Sequence, residues 1–163
     1  MARDDAEFTA FVVARRPHLR RVAFALCGDW HAADDLVQTA LAKLYVAWPR
    51  MRKVDSAEAY ARRVIVRAIV DESRRPWRRE HATQALPEAA THDVIGEHDD
   101  VVAALQLLPS MQRRCVVMRH WLDLSVEETA RELGISSGTV KSHTSRALTR
   151  LNELLADEER SAP

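Results

Sequence analysis

The chain has 163 residues, enough for one ordinary domain or two small ones, and its 24 basic and 24 acidic residues balance to a formal charge of zero. A long apolar run is missing and the N-terminus (Met1-Ala2-Arg3-Asp4-Asp5) is charged, which argues against a transmembrane helix or a signal peptide. Cys27 and Cys115 stand alone without a C-x-x-C, which argues against a zinc site and fits a reducing cytoplasm.

Charge balance says little about partners, because binding depends on where charge sits. The basic residues are 21 Arg and only 3 Lys. Arg is the better residue for bidentate phosphate and base contacts, although the codon bias of a GC-rich genome explains the excess first.

Only 4 Gly and 6 Pro punctuate the chain. Apolar residues recur at helical spacing in most windows, and alternating strand patterns are missing. The expectation is an all-α protein. The first helical pattern carries Phe8, Phe11, Val12, Leu19, Val22 and Leu26, with a break expected at Pro17. Asp29 caps a second helix that runs to Trp48 and stops before Pro49. Ala33, Leu36, Val37, Ala40, Leu41, Leu44, Tyr45 and Trp48 form its apolar stripe. After a short basic loop (Arg50 to Asp55), a third helix starts near Ser56 and runs to about Arg75, apolar at Ala57, Tyr60, Ala61, Val64, Ala68 and Ile69.

Composition then shifts. Arg74-Arg75-Pro76-Trp77-Arg78-Arg79 is intensely basic, whereas Pro87 to Asp100 holds Glu88, Asp93, Glu97, Asp99 and Asp100 and no Lys or Arg. The expected organisation is two small helical domains, 1–75 and 98–155, joined by a flexible linker over 76–97 and followed by a tail over 156–163.

The strongest local signal spans Ser125 to Leu151. Ser125-Val126-Glu127-Glu128 is a capping box, and Gly134 suits a left-handed helix end. Ser136 or Ser137 then caps a second helix through Leu151. Ala130 is small where that helix passes, and Leu133, Ile135 and Val140 supply an apolar seam. This reads as a helix-turn-helix, whose second helix enters the DNA major groove. From Ser136 to Asn152 the helix carries Lys141, Arg146 and Arg150 and no acid. Ser137, Thr139, Ser142, His143 and Ser145 add short polar groups, and its first amides suit a phosphate.

The N-terminal half decides which kind of DNA-binding protein this is. The stretch Ala33-Asp34-Asp35-Leu36-Val37-Gln38-Thr39-Ala40-Leu41 resembles the polymerase-binding segment of the extracytoplasmic-function (ECF) sigma factors. Tyr60-Ala61-Arg62-Arg63-Val64-Ile65-Val66-Arg67-Ala68-Ile69-Val70-Asp71-Glu72-Ser73-Arg74-Arg75 is similar to their −10 region. Leu108-Pro109-Ser110-Met111-Gln112-Arg113 and Gly134-Ile135-Ser136-Ser137-Gly138-Thr139-Val140-Lys141-Ser142 look like their −35-reading domain. The resemblance covers nearly the whole chain in the family's order.

The resemblance implies a sigma region 2-like domain and a sigma region 4-like domain. It implies docking on core RNA polymerase through Asp34, Asp35, Leu36, Gln38 and Leu41. The melted non-template −10 strand would meet Arg52, Lys53, Tyr60, Arg63, Arg67, Arg74 and Arg75. The double-stranded −35 element would meet Ser137, Thr139, Lys141, Ser142, His143 and Arg146. Residue physics supports part of this on its own, since Arg63, Arg67 and Arg74 fall on one side of the third helix, and a basic groove with aromatics suits single-stranded DNA. The family also implies an anti-sigma protein as a partner, no metal or cofactor, no catalysis by the chain itself, and an acidic linker near the RNA path. Tyr60 stands where the family often has Trp, Arg67 where it often has Asn, His143 for a common Arg and Thr144 for an apolar residue. These departures bear on the promoter sequence, not on the class.

Two other readings compete. Thr139-Val140-Lys141-Ser142-His143 also resembles the recognition helix of LuxR-type regulators, but those usually carry a domain with β-strands, and no βα alternation precedes residue 100. His92-Asp93 and His98-Asp99-Asp100 offer ligands for a metal-dependent hydrolase. Metal ligands need a rigid scaffold, and these fall in the expected linker.

Overall fold

The computed structural model describes residues 2–51, 54–73 and 99–162, and all the regular structure among them is helical. The chain divides into two compact units at Glu88/Ala89.

The first unit packs three helices against one another: α1 (Ala2–Cys27), α2 (Trp30–Ala47) and α3 (Val54–Ser73). Asp29 caps α2, its carboxylate accepting the His31 and Ala32 amides at 2.8 and 3.3 Å. Leu19, Val22 and Leu26 of α1 meet Leu36, Val37, Ala40 and Leu44 of α2 in the core. Pro17 does not break α1, contrary to the expectation. A proline removes one amide and frees the carbonyl four residues back. Pro17 and Val13 are both exposed, so that gap faces solvent, and Phe11 and Leu19 anchor the helix on either side. The buried face of α3 is Ala57, Ala61, Ile65, Val66, Ile69 and Val70, with Tyr60, Val64 and Ala68 only half-buried at its margin.

The second unit holds α4 (Asp99–Gln106), α5 (Ser110–Val116), a single π-turn (Val117–Trp121), α6 (Val126–Leu133) and α7 (Ser137–Ser161). The last helix packs on α4, α5 and α6. Its buried face is Val140, Thr144, Ala147 and Leu151, set against Cys115, Val116, Met118, Ala130 and Leu133. Burial pushes the Cys115 thiol up to about 11, as expected of a structural cysteine rather than a reactive one. The helix continues ten residues past Leu151, through the expected boundary at 155/156, because Leu154, Leu155 and Ala156 remain half-buried.

Candidate nucleic-acid interface

The turn between α6 and α7 is fixed by caps at both ends. Ser125 Oγ accepts the Glu128 amide at 3.0 Å and a Glu128 carboxylate oxygen accepts the Ser125 amide at 3.0 Å, closing the capping box. Gly134 ends α6 at φ 67°, the left-handed conformation that glycine adopts without strain. The Ile135 amide reaches back to the Ala130 carbonyl at 3.1 Å. Ser136 Oγ then accepts the Thr139 amide at 3.1 Å and starts α7. An αα-corner held this firmly presents the first turns of α7 in one orientation.

That presentation sorts the expected −35 residues. Ser137, Lys141, Ser142 and Arg146 are exposed, and Ser142 lies on the side away from the buried Val140, Ala147 and Leu151. Thr139 is half-buried, and its hydroxyl shares a 2.7 Å hydrogen bond with Ser136, so it belongs to the cap. His143 is half-buried as well, and its Nδ1 is buried without a hydrogen-bond partner among the described residues. Arg150 is tied to Glu153 at 3.2 Å across an exposed turn.

One residue that supports this site was not singled out by the sequence. Arg119, in the π-turn, donates from Nη1 to the Leu124 carbonyl at 2.5 Å. The bond pins the loop in which Asp123 takes φ 54°, directly before the Ser125 cap. The available signal was an Asp in a short loop, a residue type that tolerates this conformation.

In the first unit, Arg63 and Arg67 are exposed one turn apart on α3, and Tyr60 is half-buried. Arg52, Lys53, Arg74 and Arg75 lie outside the described residues, as does the acidic segment Glu88 to Glu97. Trp48 packs edge-on against Phe8 at 5.3 Å and tilted against Phe11 at 5.4 Å, so its ring belongs to the α1/α2 contact. Arg62 is drawn inward, donating to the buried Glu58 at 2.7 Å. Arg15 and His18 of α1 approach the same carboxylate at 3.5 Å each.

The residues expected to meet polymerase separate into three kinds. Leu36 is buried in the core, and Asp34 is paired with Arg20. Asp35 and Gln38 are exposed on α2. Gln38 and Leu41 line a groove of about 340 Å³ between α1 and α2, together with Phe8, Val12, Arg16 and Tyr45.

Residues 11–79 match Sigma-70 region 2, and residues 98–151 match Sigma-70, region 4. The RNA polymerase sigma-E factor of Streptomyces coelicolor is 41% identical over 152 residues, 91% of this chain and 86% of that protein. The chain belongs to the sigma-70 family, as an ECF-type sigma factor. The ECF RNA polymerase sigma factor SigM of Mycobacterium tuberculosis is 32% identical over 94% of this chain and 85% of that one. Among solved structures, the sigma factor RpoE of Bartonella quintana, crystallised with the anti-sigma factor NepR, matches with a TM-score of 0.62 and 26% identity, covering 92% of this chain and 97% of that one.

A sigma factor is a transcription initiation factor, and this decides against the LuxR-type and hydrolase readings. The histidines and Asp93 of the latter lie outside the described residues. Among the described residues no three His, Cys, Asp or Glu side chains gather as a metal site, and no helix is long and apolar enough to cross a membrane.

Proposed function

We propose that this sigma factor docks on core RNA polymerase through α2, reads the −35 element as duplex with α7, and holds the melted non-template −10 strand with α3 and its flanking basic residues. The observation that carries the reading is the acid-free first half of α7, up to Asn152, with Ser137, Lys141, Ser142 and Arg146 exposed and the helix start fixed by the Ser136 cap. A recognition helix needs this rigidity, because bidentate base contacts depend on geometry. His143 and Thr139 take part through the edge of the same surface.

On α3, Arg63 and Arg67 offer cations at helical spacing beside Tyr60. They form a track for a single strand together with Arg52, Lys53, Arg74 and Arg75. On α2, Asp35, Gln38 and Leu41 face polymerase, while Asp34 and Leu36 shape the helix that presents them. The protein works in the cytoplasm without cofactor or metal and catalyses nothing itself. An anti-sigma factor is a natural partner, since the RpoE relative was crystallised with one. The acidic segment before α4 acts as a tether or as a mimic of nucleic-acid charge in a basic channel.

The test adds the purified protein to bacterial core RNA polymerase on a library of genomic promoter fragments, with core alone as the control. Defined transcripts that need the protein are expected, and their start sites reveal both promoter elements. Failure to comigrate with core and to yield any transcript overturns the reading.

A further inference from the structure

Gly138 occupies the second position of α7, after the Ser136 cap. Nothing among the described residues asks for a glycine there. Its φ lies outside the left-handed region that Gly28 and Gly134 adopt. A Cβ built on it would meet only Ser136 Oγ, at 4.0 Å, an ordinary contact that leaves the cap undisturbed. Alanine is the better helix residue at such a position, through the smaller entropy it loses on folding. The fold therefore carries a destabilising residue without a steric reason of its own.

The position of Gly138 supplies an external reason. The residue is exposed, on the side of α7 opposite the buried Val140 and Ala147, and Lys141 and Ser142 follow it three and four residues on. One use of glycine that needs no positive φ is to let another backbone come close. We infer that Gly138 is the point of closest approach between this protein and promoter DNA, where a strand's sugar-phosphate backbone lies too near α7 for a Cβ. The inference rests on α7 being the DNA-reading helix. It assigns Gly138 a positioning role: the missing side chain sets how deeply the helix sits, and so the reach of Lys141, Ser142 and Arg146.

The test compares full-length wild type, Gly138→Ala and Arg146→Ala. Thermal unfolding is measured on each protein, and promoter affinity on each holoenzyme assembled with core polymerase, across duplexes with altered −35 bases. Gly138→Ala is expected to raise Tm by about 2–6 °C while weakening promoter binding by about tenfold or more, to a similar extent on every −35 sequence. A protein stabilised in this way and weaker on DNA cannot owe its loss to misfolding. Wild-type affinity for Gly138→Ala, with Arg146→Ala impaired, overturns the close approach and leaves the reading helix in place. Wild-type affinity for both variants removes α7 as the reader. A Gly138→Ala loss confined to particular −35 bases overturns the assignment to the backbone.

Discussion

Arg20 holds Asp34 side-on, its Nε donating to Oδ1 at 2.6 Å and its Nη2 reaching Oδ2 at 3.4 Å. The same guanidinium lies 4.3 Å from the centre of the Trp30 ring, which stacks nearly parallel on Phe24 at 3.9 Å. One of two adjacent acids on α2 is thus committed within the protein, and its neighbour Asp35 is left exposed.

This division predicts different losses from two conservative changes. Asp35→Asn is expected to weaken binding to core polymerase by about threefold to tenfold and leave unfolding unchanged, as a charge at the edge of an interface does. Asp34→Asn is expected to lower stability by about 0.5–1 kcal/mol, discounted because both partners are partly exposed, with a smaller effect on core affinity. Titration of labelled core with each variant, beside denaturant unfolding, checks the pair. Equal losses of core affinity would show that Asp34 leaves Arg20 to meet polymerase.

Lys141 and Arg146 are both exposed on α7, and on the proposed reading they bring different chemistry to DNA. Arg146→Ala should cost about 1–3 kcal/mol of promoter affinity and relax preference at one −35 position. Lys141→Ala should weaken all sequences alike and reduce the slope of log K against log salt by about 1, as one fewer phosphate is neutralised. Promoter titrations at several salt concentrations separate the two, and a base-specific loss at Lys141 would reverse the roles.

The Glu58 cluster makes the first unit sensitive to acid. Burial is the main reason that the His18 pKa falls below its ordinary 6.5, with Arg62, Arg15 and Arg21 adding and Glu58 opposing. The folded state therefore binds a proton at His18 less readily than the unfolded chain does. The His18 contribution is complete above about pH 6.5 and is lost as pH falls through the lowered folded value. Unfolding of wild type and His18→Gln at about pH 7.5 and about pH 5.5 should show a smaller acid loss in the variant. An identical loss in both would place the pH response elsewhere.

The helix-turn-helix was legible because its signals are local. Ser125 and Glu128 are three residues apart, Gly134 sits at the turn, and the Val140 seam repeats at helical spacing, so each hydrogen bond joins residues close in sequence. The division of the acidic pair was not legible, since Arg20 and Asp34 are fourteen residues apart on different helices. Nor was the burial of Glu58, whose Arg15 and His18 partners belong to α1, some forty residues away. An Arg62 on a helical surface reads as a solvated cation until α1 packs against it. Pro17 misled for the opposite reason: its local penalty is real, but tertiary packing of α1 overrides it.

Thr129 and Thr144 sit in the interior of the helix-turn-helix, on α6 and α7, and only one of them is satisfied. The Thr144 hydroxyl donates to the Val140 carbonyl at 2.7 Å. The Thr129 hydroxyl is fully buried and has no hydrogen-bond partner among the described residues. A buried hydroxyl left unpaired keeps its desolvation cost without a compensating bond. Valine has nearly the same shape and a similar helix propensity, so Thr129→Val should stabilise the second unit by about 1 kcal/mol. Thr144→Val exchanges a local bond for a methyl group and should change stability by less than about 0.5 kcal/mol. Denaturant unfolding of the two variants measures the difference directly. A neutral or destabilising Thr129→Val would show that its hydroxyl bonds in solution, and the asymmetry between the two threonines would then vanish.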